Sequence, residues 1–250
     1  MRIGGVEKLT LLDYPGKLAA IVFTVGCNFR CHFCYNPMLV RPQTEELDTE
    51  NTKGQRQDLE ENINSPLTSV AGLFNFLKNR VGKLDGVVIT GGEPTLHSDL
   101  PEFISQIREL GYSIKLDSNG TNPEMLKKLI TAGLVDYIAM DLKAPAHKYE
   151  AVVSTTIDFN KILESVKIIM SSGLPYEFRT TVVPGLITSE DIIEMAEIIK
   201  GADKWYLQFF KSDTELLDDN FQGQAGYSRL DMERMARSVS HLVKLCQVRG

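Results

Sequence analysis

Six short apolar segments alternate with amphipathic stretches along most of the chain, and this alternation limits the fold more than any other feature. The segments are Lys17–Val25, Val87–Thr90, Ser113–Asp117, Asp136–Met140, Tyr176–Val183 and Lys204–Phe210. They are continuous apolar runs of strand length, as expected of strands covered on both faces. Between them Leu73, Phe74, Leu77 and Val81 recur at helical spacing, as do Leu100, Phe103, Ile104 and Ile107 after the N-cap candidate Ser98. Met125–Ala132, Phe159–Met170 and Asp191–Lys200, the last after Ser189, supply three more helices. Strands alternating with helices imply a parallel α/β sheet, open or curled into a partial barrel. A helix begins near Ser228, whereas Leu242–Val248 fits a short strand as well as a helix. The 250 residues suit a single domain, 1–250.

One segment breaks the rhythm. Arg41–Thr68 carries seven acidic and three basic residues, so it supplies −4 of the chain's net −6. Its few apolar residues, Leu47, Leu59, Ile63 and Leu67, cannot build a core. A solvated insertion is expected, with a lid or partner-docking element as the alternative because it follows the cysteine-rich loop. The acidic balance argues against a nucleic-acid partner, which needs clustered Lys and Arg. No apolar run reaches the roughly 20 residues of a membrane span, and Met1–Gly5 opens no secretory signal. A cytoplasmic protein with no membrane partner is expected.

Chemistry gathers at the C-terminal ends of the predicted strands, the edge where parallel α/β folds bind ligands. The first strand runs into Cys27-Asn28-Phe29-Arg30-Cys31-His32-Phe33-Cys34, and the second into Gly91-Gly92-Glu93-Pro94. The third ends in Asp117-Ser118-Asn119-Gly120 and the fourth in Asp141-Leu142-Lys143, while the fifth and sixth carry Arg179 and Gln208. Three of the four cysteines fall within eight residues; the other, Cys246, sits among Leu242, Val243, Leu245 and Val248, as a core residue would. Structural zinc would want a fourth ligand and paired spacing, and His32 lies too close to its neighbours to chelate beside them. Three thiolates suit an iron–sulfur cluster best. With three protein ligands one iron stays open, which points to a catalytic cluster that binds a substrate or cofactor. His97, after the Gly-Gly-Glu-Pro loop, reads as closing that loop.

The C-x3-C-x2-C spacing with an aromatic before its last cysteine, followed by Gly91-Gly92-Glu93-Pro94 after the next strand, resembles the radical S-adenosylmethionine (SAM) superfamily. Leu11–Lys17, Gly26–Cys31, Asn36-Pro37, Asp117–Gly120, Met140–Lys143 and Val182–Gly185 are similar to one branch, the activating proteins of anaerobic ribonucleoside-triphosphate reductase, which are glycyl-radical-enzyme activases. Two features depart from that branch: Tyr35 stands where activases commonly have His, and the 41–68 segment is long.

The resemblance implies a partial (β/α)6 barrel of TIM-like type, with Cys27, Cys31 and Cys34 holding a [4Fe–4S] cluster and SAM chelating its open iron. Gly91 and Gly92, without Cβ atoms, would let backbone carbonyls approach the methionine ammonium, and Glu93 would accept from it. Phe33 would line the adenine side. Lys143 and Arg179 would face the SAM carboxylate. Asp117, Ser118 and Asp141 would hold the ribose, or a small monovalent cation as in some activases. Gln208 would reach the adenine. The implied partners are a glycyl radical enzyme, anaerobic ribonucleotide reductase, and an electron donor such as flavodoxin or ferredoxin. Three rivals remain: a superfamily member acting on a small molecule, like 7-carboxy-7-deazaguanine synthase, an activase of another glycyl radical enzyme, and a non-catalytic zinc module.

Overall fold

The structure, a computed structural model, describes residues 1–40 and 68–250, so all of the acidic segment except Thr68 lies outside the described residues. Among the described residues the chain forms β1 (Ile3–Thr10), β2 (Ala19–Thr24), α1 (Pro37–Val40), α2 (Val70–Lys78), β3 (Gly86–Gly91), α3 (Leu100–Glu109), β4 (Ser113–Ser118), α4 (Pro123–Thr131), β5 (Tyr137–Asp141), α5 (Tyr149–Val153), α6 (Phe159–Met170), β6 (Tyr176–Val182), α7 (Ser189–Ile198), β7 (Trp205–Phe209), α8 (Arg229–Ser238) and β8 (Cys246–Arg249). They divide into two units.

The first unit comprises Met1–Asn28, the described part of Met38–Asp117, and Leu129–Asp136. Here β2 pairs in parallel with β3 from Ala19↔Gly86 to Thr24↔Gly91, and β3 pairs in parallel with β4. Ala19, Ala20, Val22, Val87, Ile89, Ile114 and Leu116 are fully buried, as the continuous apolar runs predict. Leu73 and Leu77 of α2 and Leu100, Ile104 and Ile107 of α3 are equally buried. Antiparallel to β2 lies β1, a strand that the apolar pattern does not predict. Its Gly4-Gly5 and the exposed Glu7-Lys8-Leu9 stretch leave it no apolar run, and pairing with β2 supplies the order that propensity does not. The β1–β2 connection closes in a turn at Tyr14-Pro15-Gly16-Lys17. Lys17 N donates to Tyr14 O at 3.1 Å, and Gly16 takes φ 73° at the position where a type II turn requires a positive φ. Tyr14 is buried against Gly86, where an added Cβ would meet its ring at 2.9 Å.

The second unit comprises Phe29–Pro37, Ser118–Lys128 and Tyr137–Gly250. Its strands β5, β6, β7 and β8 pair in parallel in chain order, with Asp141↔Arg179 and Gln208↔Arg249 in register. The undecided C-terminal segment therefore resolves as a strand, shorter and later than Leu242–Val248. Two helix starts shift by one residue. Asp99 rather than Ser98 precedes α3, and Thr188 rather than Ser189 caps α7, in a reciprocal box with Asp191.

Candidate functional site

In the first unit the ends of β2 and β3 are locked together. Gly92 N donates to Thr24 O at 2.9 Å and Glu93 N to Gly26 O at 2.8 Å, so the Gly-Gly-Glu turn carries the segment that leads into Cys27. Only glycine fits here. A Cβ on Gly91, whose φ is 121°, would collide with the Thr24 backbone, and one on Gly92 would collide with Gly26 O. Glu93 is buried, and its Oε1 accepts from Thr95 N at 3.1 Å, capping the short turn Pro94–Leu96. His97 reaches back to Val25 O at 3.1 Å, as a loop-closing histidine should, and burial above all draws its pKa below the ordinary value. Thr24 Oγ1 is buried and finds no hydrogen-bond partner among the described residues. Such a hydroxyl costs about 1–3 kcal/mol, and here it sits at a strand end where a polar ligand is expected.

Asp117 in the same unit is paired with Lys115, which is buried to 1% exposure two residues earlier on β4. A buried ammonium needs such a partner. The alternation Ser-Ile-Lys-Leu-Asp already places both on one strand face, so the pair was legible in the sequence and was missed.

The second unit contains the cysteine segment from Phe29 onward. Cys31 is buried and Cys34 half-buried, and Cys34 N donates to Cys31 O at 3.1 Å. Burial pushes the Cys34 thiol up, against the Asn36 backbone N–H and Lys143, which favour the thiolate. Phe33 is buried with Lys143 Nζ 5.8 Å from its ring centroid. Lys143 Nζ lies 3.0 Å from Asp141 Oδ2, and Arg179 Nε donates to Asp141 Oδ1 at 2.8 Å. The register of β5 and β6 sets this geometry, since Asp141 and Arg179 are direct partners. Burial alone would raise the Asp141 carboxyl, but Arg179 and Lys143 hold it well below the carboxylate range. Burial likewise opposes the charge on Lys143, yet Asp141 and then Cys31 hold it far above the ordinary ammonium value. Lys143 and Arg179 thus flank one carboxylate, cationic groups of the kind that recognise an anionic ligand group.

Two further expected residues lie on β4 and β7. Ser118 Oγ accepts from Gly120 N at 3.1 Å, an arrangement that shapes its own turn. Gln208 is half-buried on β7 opposite Thr181, two pairs beyond the Arg179↔Tyr206 pair and so on the same face. Sequence reasoning also missed a polar layer on that face. Glu177, 1% exposed, takes two bonds from Arg249, at 2.8 and 3.1 Å, and one from Tyr137 at 2.9 Å.

Three thiols in one short segment are the donor set of an iron–sulfur cluster, whereas a structural zinc would want a fourth ligand and paired spacing. Within the first unit, an orphaned hydroxyl at the end of β2 lies by a glycine pair packed without Cβ atoms; within the second, Lys143 bears electrostatically on Cys31 and Cys34. No helix among the described residues is long and apolar enough to cross a membrane.

The sequence pattern of the Radical SAM superfamily matches residues 21–199. A protein of Methanocaldococcus jannaschii, provisionally named a glycyl-radical enzyme activating enzyme, is 32% identical over 225 residues, covering 88% of this chain and 84% of its own. The pyruvate formate-lyase-activating enzyme of Clostridium pasteurianum is 27% identical over 253 residues, 97% of this chain and 92% of its own. Among solved structures, Streptococcus suis SuiB bound to S-adenosylmethionine superposes with a TM-score of 0.57 at 16% identity, over 93% of this chain and 50% of that one. With the family match this establishes the fold as the partial (β/α)6 barrel, TIM-like and mixed α/β, that the strand alternation and the resemblance imply.

Proposed function

Since the chain belongs to the radical SAM superfamily, whose cofactors are a [4Fe–4S] cluster and SAM, we propose that Cys27, Cys31 and Cys34 hold the cluster and that the enzyme activates anaerobic ribonucleoside-triphosphate reductase. The Methanocaldococcus jannaschii relative is named for activating a glycyl-radical enzyme and the Clostridium pasteurianum relative for activating pyruvate formate-lyase, and both names support this reading. Held there, the cluster and SAM would supply the one-electron chemistry for taking a hydrogen atom from a glycine Cα of the partner.

The chain's own residues bind and orient. Lys143 and Arg179, already ordered by Asp141, present positive charge to the SAM carboxylate. Phe33 walls the adenine side, and Gln208 reaches the adenine from β7. Gly91 and Gly92 bring backbone to the methionine ammonium, with Glu93 as a carboxylate acceptor. Asp117, Ser118 and Asp141 serve the ribose. Burial of Cys34 keeps water away and makes its thiolate depend on iron and on Lys143. No general base is required, because the reaction is a hydrogen-atom transfer. Flavodoxin or ferredoxin supplies the electron, in the cytoplasm.

The observation that carries the choice of reductase is the similarity of Leu11–Lys17 and Val182–Gly185 to the reductase-activating branch. A second reading, activation of a pyruvate formate-lyase type enzyme, is favoured by the Clostridium pasteurianum relative. The test is anaerobic incubation with SAM, reductant and each candidate enzyme, read by the glycyl radical resonance. Radical on the reductase alone supports the proposal; radical on the lyase alone transfers the function to the second reading.

A further inference from the structure

His32 lies between Cys31 and Phe33, and the sequence gives it no task. The structure gives it three contacts, all from distant parts of the second unit. Nδ1 lies 2.7 Å from Asp218 Oδ2, Nε2 lies 2.9 Å from Ser154 Oγ, and the ring stacks on Phe221 with centroids 5.3 Å apart. With the carboxylate accepting from Nδ1–H, Nε2 accepts from the serine hydroxyl, so the neutral ring is satisfied at both nitrogens. The backbone around it is tied to the same two places. Arg30 N donates to Val153 O at 2.8 Å, Asp218 N to His32 O at 3.2 Å and Leu217 N to Cys34 O at 2.9 Å. Phe29 packs edge-on to Tyr149 of α5 at 6.1 Å.

The serine, histidine and carboxylate are spaced as in a hydrolytic triad, but the surroundings oppose that use. Ser154 is the residue after α5, where the last helix carbonyls present partial negative charge and disfavour an oxyanion. It is also the one non-glycine residue of positive φ among those described, at φ 50° and ψ 38°. That conformation costs about 1–2 kcal/mol for an L-residue, and it aims the hydroxyl at His32.

Resting on the reading that the three cysteines bind the cluster, we propose that His32 is a positioning residue. Held between Asp218 and Ser154, it fixes the Cys31–Cys34 segment in the conformation that receives iron. Partners that orient ligands in this way typically change metal affinity by 10–100-fold when removed.

Ser154→Gly separates positioning from stability, because glycine relieves the positive φ while removing the hydroxyl. Three quantities are measured on the full chain: amide exchange of residues 29–36 without cluster, the melting temperature without cluster, and the rate of iron loss from the reconstituted protein to a chelator. The expected result for Ser154→Gly is exchange and iron loss about 10-fold faster with an unchanged or higher melting temperature. His32→Ala should reach about 100-fold, and His32→Asn, whose amide still donates to Asp218, should fall between. Iron loss within twofold of the parent in all three variants overturns the proposal, as does faster exchange without faster iron loss. A parent that takes up no iron refutes the cluster reading instead; unchanged exchange in the variants would then still overturn the role of His32.

Discussion

An alanine at Gly92 would put a methyl group where the Gly26 carbonyl oxygen lies, with Cys27 N 3.2 Å beyond. The obstacle is backbone on both sides, so no side-chain rotation removes it. Overpacking of this kind costs about 1–3 kcal/mol, and the displacement would stretch the 2.8 Å bond from Glu93 N to Gly26 O. At about 2–4 °C per kcal/mol for a chain of this size, Gly92→Ala should melt about 2–12 °C lower without cluster. Two companions separate the causes. Gly16 takes φ 73° with open space around it, so Gly16→Ala meets backbone strain alone, about 1–2 kcal/mol. Gly91 combines φ 121° with the clash against Thr24, so Gly91→Ala should be the least stable of the three. Because the Gly92 clash falls beside Cys27, Gly92→Ala should also lose bound iron, whereas Gly16→Ala should retain it. Thermal melts of the apo-proteins and iron content after reconstitution decide the matter. A Gly92→Ala protein that melts with the parent and keeps its iron would refute the claim that this glycine exists to admit the Cys27 segment.

Asp141→Ala leaves Lys143 and Arg179 without their shared partner. At 27% exposure of its side chain, the loss should be about 2–3 kcal/mol, below the about 3–5 of a fully buried pair, measurable by urea unfolding. Because the folded-state pKa of Asp141 is depressed, its stabilisation is complete above its unfolded value near 4 and fades as pH falls below it. The parent should therefore show an acid limb below about pH 4 that is shallower in Asp141→Asn. Cys246 is held by burial at about 12, so at pH 9 about a thousandth of it is thiolate. Iodoacetamide should modify it about 10³-fold more slowly than an exposed thiol, and Cys246→Ala should keep full iron content; iron loss in that variant would make it a ligand.

The strands that the sequence reveals are those whose residues are buried on both faces, such as β2 with Ala19, Ala20 and Val22 at zero exposure. What it hides depends on pairing. β1 buries only its two end residues and is ordered by β2, and β8 has only four residues, half of them polar. The strand-end chemistry was legible because Cys27–Cys34, Gly91–Glu93 and Asp141–Lys143 are local motifs. Asp141–Arg179 became legible only through register, since 38 residues separate them. The contacts of His32 had no local signal at all: Ser154 and Asp218 lie 122 and 186 residues away. A histidine between two cysteines invites a ligand reading, and the fold uses it as a fastening.

The most direct test is 5′-deoxyadenosine formation by the anaerobically reconstituted protein, with SAM and a strong reductant, beside Cys27→Ala, Cys31→Ala and Cys34→Ala. The parent should bind about four irons with matching sulfide and release 5′-deoxyadenosine and methionine, and each variant should do neither. Cleavage of SAM that survives the loss of any one of these cysteines, or a parent that holds a verified cluster and leaves SAM intact, would contradict the account.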